Sequence, residues 1–245
     1  MQDPAWLPVA ILALAGLATL AYAIRALDLL GAAASFFLGL LIATQGGLSW
    51  IALMVLFTGL SVLATRTGFA RKLERRVAEE AGGERGVKNV MGNGAAAGIV
   101  VLAAQLPGIP LVAVQAAYAT AVAAVAADTL ASELGSLSQR ARSILPPFVV
   151  VPVGSNGGVS IRGQLAALLG STLIALTAIP TVGLPLHLVW VPLVAGFLGC
   201  QLDSLLGATL EGDARAGRPL GKQDVNFLAS LVPAVAVLVG MSLTA

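Results

Sequence analysis

The chain has 245 residues, of which 58% are hydrophobic and 11% charged, with mean hydropathy +0.92 and net charge +2. Soluble domains carry roughly 25% charged residues, so this composition cannot cover a water-facing surface and excludes an ordinary soluble domain. The small net charge argues against nucleic acid as a partner.

Long apolar runs fit membrane helices, each of which needs about 20 residues to cross a bilayer. The opening stretch MQDPAWLPVA holds Asp3 and no Lys or Arg before its apolar run. A signal peptide has a positive start, so a retained first helix is expected. Spans are predicted over 6–24, 27–45, 48–65, 90–107, 109–130, 163–183, 187–210 and 225–243. Gly46 and Gly47 soften one junction, and Pro107, Pro110 and Pro185 mark tight turns, since proline resists helix interiors. The expected fold is all-α: a polytopic bundle of about eight transmembrane helices, forming one integral membrane domain over 1–245.

With eight spans, all 14 Lys and Arg residues fall on one face. Excess Lys and Arg marks the cytoplasmic side, so that face is expected to be cytoplasmic, with both termini outside. Three longer segments lie on it: a basic loop over 66–89, a glycine-rich loop over 131–162 and a loop over 211–224. The centre of the first reads as a short amphipathic surface helix or a solvated loop. Within the second, FVVVPV reads as an extended or re-entrant piece. Trp6, Trp50 and Trp190 fall near the opposite face and read as interfacial anchors, with His187 as an interfacial residue. Cys200 is the single cysteine, so no internal disulfide is available.

Two carboxylates fall within predicted spans, where ionisable groups are costly and often functional. Asp128 closes the fifth span, and Asp203 shares a helical stripe with Gly196, Gly199 and Gly207. Small residues there admit a neighbouring helix, which turns Asp203 toward protein. Glu133 lies about 140° around a helix from Asp128, unless the helix has already ended. If it has, both could hold magnesium, a cation that prefers oxygen ligands. Gly154, Ser155, Asn156, Gly157, Gly158 and Ser160 form a glycine-rich loop before a helix start, a candidate phosphate cradle, and Arg162 adds a phosphate donor. It is no Walker loop. The nearest string, Gly217 to Gln223, is one residue short and lacks the closing Ser or Thr. Asn93 and Asn226 sit at span entrances as candidate ligands, and Gly94 and Gly98 offer close packing. Asn93-Gly94 followed by Asp128-Thr129-Leu130 is echoed by Asn156-Gly157 followed by Asp203-Ser204-Leu205, which suggests an internal duplication.

The ordered strings AADTLASELG, VGSNGGVSIRG, LGCQLDSLLGATLEG and VNFLAS resemble an integral-membrane family known as domain of unknown function 92. That family includes the phytyl phosphate kinases and is distantly similar to the polyprenol and phytol kinases. The resemblance runs from about Arg66 to Asn226. It implies a phosphotransferase that moves a phosphate from a nucleotide, CTP for choice, to a prenyl or phytyl monophosphate. It carries catalytic and metal roles onto Asp128, Glu133 and Asp203, with Mg²⁺ as cofactor. Asn156, Gly157, Gly158 and Ser160 match the glycine-rich loop, and Asn226 a later motif. Leu130 stands where an aromatic residue is expected, and Asn89 where a glutamine is expected. The implied partners are an isoprenoid lipid and the surrounding membrane lipid, with a homo-oligomer allowed. A transporter of a lipid phosphate or anion, a lipid nucleotidyltransferase and a membrane assembly factor remain open alternatives.

Overall fold

The computed structural model describes residues 6–75, 77, 84–212 and 214–244. Its long helices are α1 (Trp6–Ala23), α2 (Leu29–Gly46), α3 (Ile51–Arg66), α5 (Val87–Leu102), α6 (Leu111–Gly135), α7 (Ile161–Val182), α8 (Trp190–Thr209) and α9 (Lys222–Leu243). A short α4 (Phe69–Glu74) follows α3. Among the described residues, eight helical segments are long and apolar enough to cross a membrane, as the apolar runs predict. The predicted bounds fall short in places: α6 continues through Glu133 to Gly135, and α9 starts at Lys222.

Helix α6 is the centre of the bundle. It packs against α3, α5, α7, α8 and α9, and every residue from Ala116 to Ala127 is buried. Alanine dominates that stretch, so neighbouring backbones can close in where no hydrophobic drive separates helix from lipid. The neighbours answer with glycine. A Cβ on Gly196 of α8 would stand 2.5 Å from Ala123 Cβ, and one on Gly170 of α7 would stand 2.9 Å from the Ala126 carbonyl. Gly199, one turn before Asp203, would meet the Ala229 carbonyl of α9 at 2.9 Å. That carbonyl lies four residues before Pro233, which has no N–H to give it. The stripe of small residues on α8 therefore does admit neighbours, namely α6 and α9.

Gly94 and Gly98 pack differently from a helix-to-helix backbone contact. Both face Leu38 of α2, whose methyl groups would meet added Cβ atoms at 2.4 and 2.7 Å. Trp50 is not an interfacial anchor. It is buried, its ring lies 5.0 Å from that of Tyr118, and its carbonyl accepts from the Tyr118 hydroxyl at 2.9 Å. Trp190 is exposed, in line with an interfacial position.

The loops of the basic face are folded. Between α6 and α7, β1 (Ala141–Ser143) pairs antiparallel with β2 (Val150–Val151) and β3 (Gly158–Val159), in the order β2-β1-β3. The all-α expectation thus acquires one small sheet, and β2 falls within the extended FVVVPV piece. Between α8 and α9, Glu211 bridges Leu220 around a turn containing Gly212 and Gly217.

The segment after α3 forms a short helix, α4, with Arg71, Leu73, Glu74 and Arg75 exposed and Lys72 buried. Helix α4 drives Lys72 into the protein. Lys72 Nζ lies 2.5 Å from Glu133 Oε2 and also donates to the carbonyls of Ala64 (2.7 Å) and Thr65 (3.2 Å). Those carbonyls close α3, where a cation complements the helix dipole. Glu133 Oε1 accepts from the Thr65 hydroxyl at 2.7 Å and lies 3.9 Å from Arg85 Nη2. Arg85 also donates to Ser61 and, at 3.2 Å, to Thr65. Arg76 and residues 78–83 of this segment lie outside the described residues.

Glu133 therefore belongs to an ion cluster on the α3 side of α6. The helix has not ended at Glu133, so the residue points away from Asp128, as helical geometry requires. Its expected role as a metal ligand beside Asp128 is corrected accordingly. Removing one partner of a buried pair leaves a stranded charge and costs about 3–5 kcal/mol. Lys72→Met should lower the unfolding free energy in detergent by an amount of that order, and the unfolding temperature with it. Adding Glu133→Gln, which removes the stranded charge, should recover part of the loss. Equal stability of Lys72→Met and the parent would mean the cluster carries no weight.

Candidate functional site

The two remaining acids converge. Asp128 comes from the last turns of α6 and Asp203 from α8, and the two line one crevice, close enough for their carboxyl groups to act on each other. Two carboxyl groups so close need a proton or a cation between them, because like charges in a low dielectric repel strongly. The crevice that holds them is walled by Ala124 and Val125 of α6, Asn93 of α5, and Asn226, Ala229 and Ser230 of α9. The alanines and glycines described above make this approach possible.

An amide spans the crevice. One end of the Asn226 side chain lies 3.2 Å from Asn93 Oδ1, and the other lies 3.2 Å from Asp203 Oδ2 and 3.0 Å from the Lys222 carbonyl. The NH₂ of the amide serves one end at a time, donating either to Asn93 Oδ1 or to Asp203 and the Lys222 carbonyl. Asn93 is tied back to its own helix by bonds to the Asn89 carbonyl (2.9 Å) and side chain (3.0 Å). Asn93 lies within α5 and Asn156 in the loop before α7, so the two asparagines of the sequence echo occupy different local structure.

Beside the crevice, on the loop side, lies a cleft of about 60 Å³. Asp128 lines both. The cleft is bounded by Ser132 and Gly135 of α6, by Gly154, Gly158 and Ser160 of the glycine-rich loop, and by Gly163 and Ser204. Gly157 fixes the loop against α8. Its φ is +71°, and a Cβ there would meet Ala208 Cβ at 2.3 Å and the Ser204 carbonyl at 2.9 Å. Two amides expected to face a ligand are already used: Ser155 N–H donates to the Pro152 carbonyl and Gly158 N–H to the Ser155 carbonyl. The loop is a pair of tight turns rather than an open nest of amides. Ser160 caps α7, its Oγ accepting from Gly163 N at 3.1 Å.

Other expected ligands stand further out. Arg162 is exposed at the start of α7 and does not line the cleft. Asn156 is exposed and hydrogen-bonds Glu211. No group of three acidic, His or Cys side chains is close enough to share a metal among the described residues, so the expected Asp128, Glu133 and Asp203 trio reduces to the two aspartates.

Two charged residues that the sequence did not single out complete the surroundings. Lys222, at the start of α9, is near enough to attract the carboxylates of Asp203 and Glu211. Burial pushes the Glu211 carboxyl above its usual range, against the pull of Lys222 and the hydrogen bond from Asn156. On the other side of Asn93, a larger cavity of about 430 Å³ runs between α1, α2, α3 and α5.

The family described as "Integral membrane protein DUF92" matches residues 12–234. The chain is 33% identical over 224 residues to an uncharacterized membrane protein of Methanocaldococcus jannaschii, covering 91% of this chain and 90% of that protein. It is 34% identical over 214 residues to Protein PGR of Arabidopsis thaliana, covering 78% of this chain and 74% of that one. It is 28% identical over 148 residues to the chloroplastic Protein VTE6 of the same plant, covering 59% of this chain and 44% of that protein. No solved structure matches.

The docking of the loop rests on a position without a side chain, and strain at such a backbone conformation costs on the order of 1–3 kcal/mol. Gly157→Ala should lift the loop from α8 and raise hydrogen–deuterium exchange across 141–160, leaving α6 and α8 protected. Unchanged exchange in that segment would show that the loop is held elsewhere.

Proposed function

This chain belongs to the integral membrane protein family DUF92, and we propose that it is a membrane-embedded isoprenoid-phosphate kinase. In this reading a phosphate passes from a nucleotide, CTP for choice, to a prenyl or phytyl monophosphate at the cytoplasmic boundary of the membrane. The observation that carries it is the meeting of Asp128 and Asp203, with Asp128 also on the wall of the glycine-loop cleft. The resemblance to the phytyl phosphate kinases supports the choice of acceptor, and the basic residues gathered on the loop face support a cytoplasmic site.

The donor set fits magnesium. Asp128 and Asp203 offer two carboxylates, both hard ligands, and Mg²⁺ commonly takes one or two carboxylates and fills its remaining positions with water and phosphate oxygens. When bound, the ion would neutralise charge on the transferred phosphoryl group. Asp128 and Asp203 would hold it, Asn226 would orient Asp203, and Lys222 would offer a positive charge to the phosphates. In the transfer itself, an oxygen of the acceptor monophosphate attacks the terminal phosphorus of the donor. The bond to the bridging oxygen breaks, giving an isoprenoid diphosphate and a nucleoside diphosphate. Alignment and charge neutralisation dominate such a step, without covalent catalysis by the protein. The cleft, about 60 Å³, has room for roughly two waters. A triphosphate must therefore sit at its mouth or move the 154–160 loop outward.

Purified protein in detergent with Mg²⁺, CTP and phytyl monophosphate should release CDP and form phytyl diphosphate. Asp128→Asn should slow this by roughly 10²–10³-fold while protein yield and melting behaviour stay near those of the parent. No nucleotide consumption with any prenyl phosphate would overturn the kinase reading. Pyrophosphate as the released product would identify a nucleotidyltransferase instead.

A further inference from the structure

We infer that the cavity between α1, α2, α3 and α5 is the binding groove for the isoprenoid chain, with Gly59 setting the chain length it accepts. The inference rests on the kinase reading for the head group it assigns to the ligand. The groove itself stands on shape and chemistry.

The cavity encloses about 430 Å³. That is near the low end of ligand pockets, which run from about 300 to 1,000 Å³, and it suits one hydrocarbon chain rather than two. Its length follows α3. From Ile51 to Arg66, both on its wall, the helix rises roughly 22 Å. The walls are apolar apart from one end. Ser35 and Thr58 line it, but each hydroxyl donates within its own helix, to Ala32 and Met54 carbonyls. They ask nothing of a ligand.

The polar end is different. Arg66, Arg85, Asn89 and Asn93 line the cavity there, on the basic face. Arg66 reaches across to the turn after α1, donating to the Ile24 carbonyl at 2.8 Å. Arg85 is already engaged by Glu133, Ser61 and Thr65, so the charge offered to a ligand at this end is that of Arg66. A guanidinium at the end of an apolar tube suits an anionic head on a greasy chain, since Arg matches phosphate with paired donors. Asn93 is shared between this cavity and the Asp128–Asp203 crevice. Asn93 therefore stands between a phosphate held at the arginine end and the Asp128–Asp203 pair.

Entry comes from the side. Helix α1 packs along α2 but does not pack along α3. Leu20 of α1 and Ile24 just after it, with Val55 and Leu63 of α3, are exposed and also line the cavity. In a bilayer that gap faces acyl chains, so a membrane-dissolved isoprenoid can slide in between α1 and α3. Gly59 sits on the wall about 10 Å along α3 from Arg66, and a Cβ there meets nothing within 4 Å. A bulky side chain at 59 would project into the chain path without disturbing a neighbour.

The test uses the full chain in nanodiscs and photoreactive prenyl monophosphates of geranyl and phytyl length. Labelled peptides are expected on α1 and α3, and excess phytyl monophosphate should suppress the labelling better than phosphatidic acid. Gly59→Phe should cut phytyl-length labelling by roughly tenfold or more, through a clash with the longer chain only. Geranyl-length labelling should persist, and Gly59→Ala should behave like the parent. Should Gly59→Phe fail to fold, Ala18→Phe on the facing wall makes the same measurement. Labels confined to other helices, or phytyl-length labelling untouched by the plug, would overturn the groove, as would phosphatidic acid competing equally well. Labels on α1 and α3 without any transfer would keep the groove and remove the kinase. Undiminished phytyl transfer by Gly59→Phe would keep the kinase and remove the groove.

Discussion

Helix α6 can stand among five other helices because its middle is almost side-chain-free. From Ala116 to Ala127 it offers mainly alanines, and Gly170, Gly196 and Gly199 of its neighbours face it or the adjoining α9. In lipid, such packing takes the place of the hydrophobic effect as the force that draws helices together. It also sets how far apart functional groups on different helices end up. Asp128 and Asp203 are each one or two turns beyond these contacts, so the close approach of α6 and α8 brings their carboxyl groups into one crevice.

The same helix separates two kinds of buried charge. Toward α8 and α9 it presents Asp128, which shares its surroundings with another acid and two amides. Toward α3 it presents Glu133, matched by Lys72, Arg85 and Thr65. One face gathers like charges, an arrangement that functional sites adopt and structural ones avoid. The other face is compensated and fastens the chain after α3 to the end of α6. The contrast follows from five residues of helix, which turn the two carboxylates about 140° apart.

Much of this is readable from the chain. Apolar runs of membrane length locate the eight spans, and the segregation of the basic residues sorts their ends. The Gly196, Gly199 and Gly207 stripe correctly turns Asp203 inward. What the sequence hides is contact between distant segments. Lys72 reads as one of several loop cations, and nothing local says that its ammonium enters the protein to meet Glu133, 61 residues on. Asn226 reads as one span-entrance asparagine among others until α9 lies beside α5. Trp50 looks like an interfacial anchor because its burial depends on Tyr118, two spans away. The glycine loop is visible as a string, but its docking onto Ala208 and its use of its own amides are tertiary facts.

The approach of Asp128 to Asp203 can be measured without assuming any activity. A double-mutant cycle with Asp128→Asn, Asp203→Asn and both together, read as unfolding stability in detergent, isolates the interaction between the two positions. Side chains in contact should give a coupling of about 1 kcal/mol, within the 0.5–3 kcal/mol usual for touching residues. Stability changes, of either sign, that add to within about 0.3–0.5 kcal/mol, as distant sites do, would contradict the shared crevice and leave the two aspartates as separate features of a helical bundle.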